Sequence, residues 1–308
     1  MNWILVLAIA VVSDALRIFI DNYVSDVYFK EKGAVAQKII SGVALPIVGI
    51  ITIILSQPDL SQADPVMILF LVCSGIFNSI AGIPYYKALE IDDSTNIGIF
   101  FQFSPILYLI FNLLFFGESF TVVQLVGATI ILIAPALVIF TARKNSRRTR
   151  IRAAMLAFIS ILFYVLSGLL FTQATHMADI GIFNEIGMVI IVKGLADFVI
   201  IGSRLKWRRR LTKVIASSKG KVILPISAGL VAKLTQEFSY RIGLVIAPSI
   251  AIASAASDSV EPAAIFFMGL VLTLIWPKFG REKLQKKTVL VHLVATVVVI
   301  FGIVLMQV

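Results

Sequence analysis

The sequence predicts an all-α integral membrane protein of ten transmembrane helices, arranged as two inverted five-helix repeats. Three observations predict it. Of the 308 residues, 59% are hydrophobic and only 14% are charged, where soluble domains carry about 25%. Apolar runs close to the ~20 residues that cross a bilayer recur along the whole chain. Basic residues collect in alternate loops. Backbone donors and acceptors cannot stay unpaired in hydrocarbon, so these runs must be helices, and the period-2 alternation of a barrel is absent.

Spans are expected at 3–24, 36–56, 66–89, 95–116, 119–141, 151–173, 180–203, 222–244, 247–275 and 288–307. The first begins Met1-Asn2-Trp3 with no basic flank, and Asp14 and Arg17 interrupt it. It is therefore expected to be retained as a span rather than removed as a signal peptide. The ninth is too long for an untilted helix and is expected to break near Pro262.

The loops sort by charge. Lys30, Lys32 and Lys38 flank the first. Arg143, Lys144, Arg147, Arg148, Arg150 and Arg152 fill the fifth. Arg204, Lys206, Arg208, Arg209, Arg210, Lys213, Lys219 and Lys221 fill the seventh, and Lys278, Arg281, Lys283, Lys286 and Lys287 the ninth. These are 22 of the 27 basic residues, all in odd-numbered loops. The even loops are acidic or neutral, with Asp59, Asp64, Glu90, Asp92, Asp93, Glu118 and Asp179. Basic loops stay cytoplasmic, which predicts a multi-pass protein of the cell membrane with both termini outside the cytoplasm. The net charge of +10 is then mostly a topology signal. For the basic run of the seventh loop the expected contact is anionic membrane lipid, not nucleic acid. The segment 143–150 reads as a basic cytoplasmic linker between residues 1–142 and 151–308, with five spans in each. An odd number per half gives the halves opposite orientations, an arrangement common in transporters.

A faint repeat relates the halves. Gly75 lies eleven residues before Tyr86-Lys87, and Gly229 eleven before Tyr240-Arg241. Ser104-Pro105 has a counterpart in Glu261-Pro262, and Gly117-Glu118 in Gly280-Arg281-Glu282, with an insertion in the second copy. Tyr86-Lys87-Ala88-Leu89, Ser104-Pro105-Ile106, Gly117-Glu118 and Gly127 resemble the EamA repeat of the drug/metabolite transporter superfamily. The resemblance covers the chain as two halves and weakens in the second, where Ile242-Gly243 replaces Ala-Leu and Val291 stands where glycine is expected. It implies a ten-helix transporter fold with a central cavity and a small-molecule substrate whose identity it leaves open. It also implies cytoplasmic termini, which the loop charges oppose.

A charge at the bilayer centre costs about 2.5–3.5 kcal/mol on insertion scales, so each one needs a partner or a cavity. Asp14 and Arg17 stand three apart in the first span, Lys193 and Asp197 four apart in the seventh, and Lys233, Glu237 and Arg241 each four apart in the eighth. Each set is open to two readings, a self-paired ladder or a cavity lining. In the second reading Lys233 is an anion anchor held by Glu237. Asp258 and Glu261 have no basic residue in their own helix. They are either paired across helices with Lys193 or Lys233 or, because burial disfavours a charged carboxylate, candidate proton carriers. Pro262 would loosen the helix beside them. Asp14, Asn78, Lys193, Lys233 and Asp258 share one depth, which points to a single cavity lined by spans one to four and six to nine. Asn78, Gln102, Asn112, Asn184 and Gln236 are read as glue between helices or as substrate partners. Tyr85, Tyr86 and Tyr240 are read as interfacial anchors or else as cavity aromatics, and Gly75, Gly82, Gly229, Gly243 and Gly269 as close-packing positions. Glu185 is placed at a helix end.

No Gly-Lys-Ser/Thr phosphate loop and no Gly-x-Ser-x-Gly elbow occur, and His176 and His292 have no ligand spacing. No catalytic residue, metal or cofactor is therefore expected. Cys73, the one cysteine, rules out a disulfide framework. The expected function is secondary transport of a small polar metabolite, zwitterionic or anionic, by alternating access, with protons as one option for coupling. An uncoupled facilitator or exchanger and a non-transporting accessory subunit are the alternatives.

Overall fold

The computed structural model describes residues 2–24, 27–28, 33–57, 63–89, 97, 100–101, 103–117, 121–130, 147–177, 180–202, 205–218 and 220–275, with 294, 297–298, 301–302 and 304–305 near the C-terminus. All regular structure among them is helical. Helix α1 is Trp3–Val24, α2 Gly33–Ser56 and α3 Pro65–Leu89. Helix α4, Ser104–Phe111, has Pro105 in its first turn, where the missing N–H costs nothing, and continues as π-helical turns over Asn112–Phe116. It stops at Gly117, whose φ of +65° is left-handed and suits glycine. Helical turns follow at 122–130. In the second half come α5 Arg147–Met177, α6 Ile182–Asp197 with π-helical turns Phe198–Gly202, α7 Leu205–Ser217, α8 Ile223–Ile246 and α9 Ile250–Ile275. The end of the expected fifth span and the start of the tenth lie outside the described residues.

Three helices, over Trp3–Asp21, Pro65–Ala88 and Ile151–Met177, are long and apolar enough to cross a membrane, and Ile40–Ser56 and Ser104–Phe115 are shorter apolar helices. The radial pattern is inverted relative to a water-soluble protein. Ile54, Leu55, Leu114, Phe115, Leu224 and Leu274 are exposed, while Asp14, Asn78, Lys193, Asp197, Glu237 and Arg241 are buried. An apolar exterior around a polar interior is the arrangement that lipid solvent favours.

Three features differ from the sequence expectation. The ninth helix does not break near Pro262; α9 runs unbroken from Ile250 to Ile275. A proline forfeits one hydrogen bond, and α9, packed against α1 and α4, continues through it. The sixth helix begins at Arg147, so half of the expected linker 143–150 is helical; arginine is a good helix former. The seventh loop contains a helix of its own, α7. Trp207, Leu211 and Val214 recur at i, i+4 and i+7, which is one face of a helix.

The helices pair in a definite pattern. Helix α1 packs on α8 and α9, α3 on α5 and α6, α4 on α5 and α9, and α2 on α6. Glycine permits the last crossing. A Cβ on Gly49 would stand 2.6 Å from the Gly187 carbonyl oxygen, and one on Gly187 would stand 3.1 Å from the Gly49 carbonyl oxygen. Gly75 lies equally close to Val189 and Val192 of α6, and Gly229 and Gly243 against Ile20 and Leu7 of α1. Beneath these contacts, Leu45, Met67, Leu71, Phe171, Ile186 and Ile190 form a core shared by α2, α3, α5 and α6.

The Gly49–Gly187 contact sets the α2–α6 distance. Gly49→Leu gains about 1 kcal/mol of helix propensity, but overpacking against a backbone carbonyl costs about 1–3 kcal/mol or more. The variant should unfold at a lower temperature than the parent in detergent. An unchanged or raised Tm would contradict the close approach.

Candidate functional site

A cavity opens at the centre of the bundle. Its wall is built by α1 (Asp14, Arg17), α3 (Asn78, Gly82, Tyr85, Tyr86), Phe101 and α4 (Ser104, Tyr108), α5 (Tyr164, Ser167), α6 (Lys193, Asp197), α8 (Lys233, Gln236, Glu237, Tyr240, Arg241) and α9 (Ser257, Glu261). Arg17, Lys193, Lys233 and Arg241 give it four basic groups, and Asp14, Asp197, Glu237 and Glu261 four acidic ones. The lining is formally neutral but rich in charge. Five of the chain's seven tyrosines also face it.

Glu237 is the hub. Lys193 donates from α6 at 2.5 Å, Arg241 Nε from the next turn of α8 at 2.9 Å, and Asn78 Nδ2 from α3 at 3.3 Å. A carboxylate accepts only, so its contact fixes which end of the Asn78 amide is nitrogen. The Arg241 guanidinium lies 4.6 Å from the centroid of the Phe171 ring, a cation–π arrangement, and its Nη1 donates to Ser74 Oγ at 3.4 Å. Ser74 Oγ in turn reaches the Ser167 carbonyl at 2.8 Å. One carboxylate thus ties together α3, α5, α6 and α8. A second group sits on α1, where Arg17 Nε meets Asp14 at 2.6 Å and Nη1 meets Asp21 at 3.2 Å. Ser79 donates to Asp197 at 2.5 Å, and Lys233 to Ser41 of α2 at 2.8 Å.

Of the residues singled out in the sequence, Asp14, Arg17, Asn78, Lys193, Asp197, Lys233, Glu237 and Glu261 come together around this one cavity. Asp258 lies on α9, and its side chain falls outside the described residues, as does Gln102. The partners are partly new. Lys193 reaches across to Glu237 on another helix, and Glu237 also holds Arg241, its neighbour at i+4. Among the described residues, none of span two lines the main cavity; Ile40 and Ser41 line a smaller one beside it, with Arg17, Asp21 and Lys233. Tyr85, Tyr86 and Tyr240 line the cavity, which selects the second of their two readings over the first, as interfacial anchors. Tyr85 packs edge-on against Phe101, which meets Tyr164 in turn, so the rings form a wall rather than a belt. Glu185 does sit in the first turn of α6, and beside it Asn184 Nδ2 donates back to the Ile180 carbonyl at 2.6 Å. Gly82 lines the cavity.

Asp21, Ser41, Tyr108 and Tyr164 are site residues the sequence reading missed. Asp21 was findable, being at i+4 from Arg17. Ser41 carries no sequence signal of its own.

A helical bundle with an apolar exterior and an internal cavity lined by charges and tyrosines is the architecture of a multi-pass membrane protein. Residues 1–141, a little under half of the chain, match the EamA-like transporter family. No curated protein matches the chain. Among solved structures 28 chains match. One of them, described only as "Crystal structure of protein", superposes with a TM-score of 0.66 at 14% identity, over 98% of this chain and 95% of its own. At that identity the likeness shows the fold alone, and it extends through both halves.

Removing the charge of Glu237 leaves Lys193 and Arg241 buried without it, which costs about 3–5 kcal/mol. Glu237→Gln should lower the Tm markedly, and adding Lys193→Met should restore part of the loss. A single variant as stable as the parent would refute the hub.

Proposed function

We propose that the protein is a ten-span secondary transporter that moves a small zwitterionic or anionic metabolite by alternating access. The charge-balanced central cavity carries the reading. Four cations and four carboxylates can engage a solute of either or both signs without leaving a net buried charge, and a hydrophobic cation would waste half of them. Among the anchors, Lys233 donates to a neutral hydroxyl and Arg17 is shared by two carboxylates.

The pairing of helices supports the inverted repeat of residues 1–142 and 151–308. Exchanging spans one to four with six to nine turns the α1–α8 contact into α5–α3 and α1–α9 into α5–α4, and both occur. The same exchange returns α4–α9 and α2–α6 to themselves, as contacts on a two-fold axis must. Repeat-matched residues also meet the same cavity, Tyr86 with Tyr240 and Ser104 with Glu261. The basic loops support a topology with both termini outside the cytoplasm.

Glu261, on the cavity wall with Pro262 after it, is the proposed proton carrier, with Asp258 one turn before it. A thermal-shift screen of polar metabolites on purified protein supplies the substrate. Proteoliposome uptake of that substrate should then be accelerated by a pH gradient, and Glu261→Gln or Asp258→Asn should abolish the acceleration. Gradient dependence intact in both variants would reject coupling through these carboxylates. Uptake indifferent to the gradient in the parent itself would select an uncoupled facilitator. Silence across the whole screen would favour an accessory subunit.

A further inference from the structure

We propose that α7 is a docking site for the headgroups of anionic phospholipids. The inference rests on the membrane location of the chain and not on the identity of any transported solute. Helix α7, Leu205–Ser217, has two faces of different chemistry. Lys206, Arg209, Arg210 and Lys213 stand at i, i+3, i+4 and i+7, a single stripe along one side. Arg209 and Lys213 are exposed. No Asp or Glu occurs from 198 to 236, so no local carboxylate neutralises the stripe.

The opposite face is already occupied. Val214 and Ile215 pack against Ile20 and Val24 of α1 and against Val222 and Ile226 of α8. That contact fixes the rotation of the helix and leaves Arg209 and Lys213 exposed on another side of it. It also fixes the depth. Ile223 and Leu224, the first residues of α8, are 51% and 79% exposed, and such side chains belong against acyl chains. Only a short turn separates them from the end of α7. The helix therefore lies where the apolar belt begins, at the level of lipid phosphates. A basic face at that depth, backed by an apolar face, is the arrangement of interfacial helices that bind anionic lipid, and each Lys or Arg near such a surface contributes about 1 kcal/mol. Soluble polyanions would have to reach the same stripe against the bilayer.

The packed face gives the binding a consequence. Helices α1 and α8 carry Arg17, Asp21 and Lys233 on the cavity side, and α7 also touches α2 and the π-helical turns after α6. Headgroups held on the stripe brace the ends of helices that wall the cavity.

Native mass spectrometry of the full-length protein, released from detergent after exposure to equal amounts of phosphatidylglycerol and phosphatidylcholine, tests the site. The parent should retain phosphatidylglycerol in preference. The variant K206Q/R209Q/R210Q/K213Q should lose that preference by at least about 10-fold. Neutralising Arg143, Lys144, Arg147 and Arg148 in the fifth loop should leave it largely intact. If the quadruple variant unfolds early in a thermal scan, the exposed pair R209Q/K213Q serves in its place and should show a smaller loss in the same direction. Retention unchanged by the α7 substitutions overturns the proposal, and so does an equal loss from both loops. Duplex RNA that binds through the same four residues and displaces phosphatidylglycerol at physiological salt would reassign the stripe to nucleic acid.

Discussion

Burying a carboxylate between two cations is the constraint around which this bundle is arranged. A charge taken from water into a protein interior loses several kcal/mol of solvation, and an ion pair recovers it only with good geometry and with its remaining lone pairs satisfied. Glu237 meets both conditions. Lys193 takes one oxygen, Arg241 and Asn78 share the other, and Arg241 spends its spare capacity on Ser74 and the Phe171 face. Each partner comes from a helix whose position is thereby fixed. An apolar triad of equal volume is often no less stable than a buried ionic one, so stability alone does not explain why charges stand here. A cavity that receives a charged solute, as proposed, would explain it.

The cavity exists because helices approach closely at some levels and are propped apart at another. Gly49, Gly75 and Gly187 bring the backbones of α2, α3 and α6 together, as small residues do where lipid provides no hydrophobic drive for association. Long charged side chains and the rings of Tyr85, Phe101 and Tyr164 occupy the wider level. Association and solute access thus use different residues on the same helices.

Much of this was legible in the sequence for one physical reason: hydrocarbon forbids most alternatives. Apolar runs had to be helices, and charges within them had to face inward, so the shared depth of Asp14, Asn78, Lys193 and Lys233 already located the cavity. What i, i+4 spacing does not encode is which helix lies opposite. Lys193 and Asp197 looked like one pair; in the fold Lys193 goes to Glu237 and Asp197 accepts from Ser79. The tyrosines stayed ambiguous for a related reason. A ring near a helix end suits a headgroup belt or a polar cavity equally well, and only packing separates the two. Helix α7 was overlooked because its charges were counted and their period was not: 206, 209, 210 and 213 carry a helical spacing as plainly as any apolar stripe. The family match over residues 1–141 follows the half in which the repeat signature is clear.

The distribution of bonds between the halves bears on how such a machine can move. Among the described residues, the close ion pairs of the cavity each lie within one half. Lys193, Glu237 and Arg241 all belong to residues 151–308, and Arg17 finds Asp14 and Asp21 within α1 itself. Several bonds between described residues that do cross have a neutral group on at least one side, among them Asn78 to Glu237, Ser79 to Asp197, Lys233 to Ser41, and Ser160 to the Ala81 carbonyl. Separating an ion pair in a low-dielectric interior costs several kcal/mol, whereas exchanging a single hydrogen bond to a hydroxyl or amide for one to water costs about 1 kcal/mol. A rocking motion of one half against the other, as proposed, would leave both ionic clusters whole and ask only the cheaper bonds to change. Six of the eight cavity charges also reside in the second half, so a charged solute would travel with that half while the tyrosine-lined wall of the first opens and closes around it.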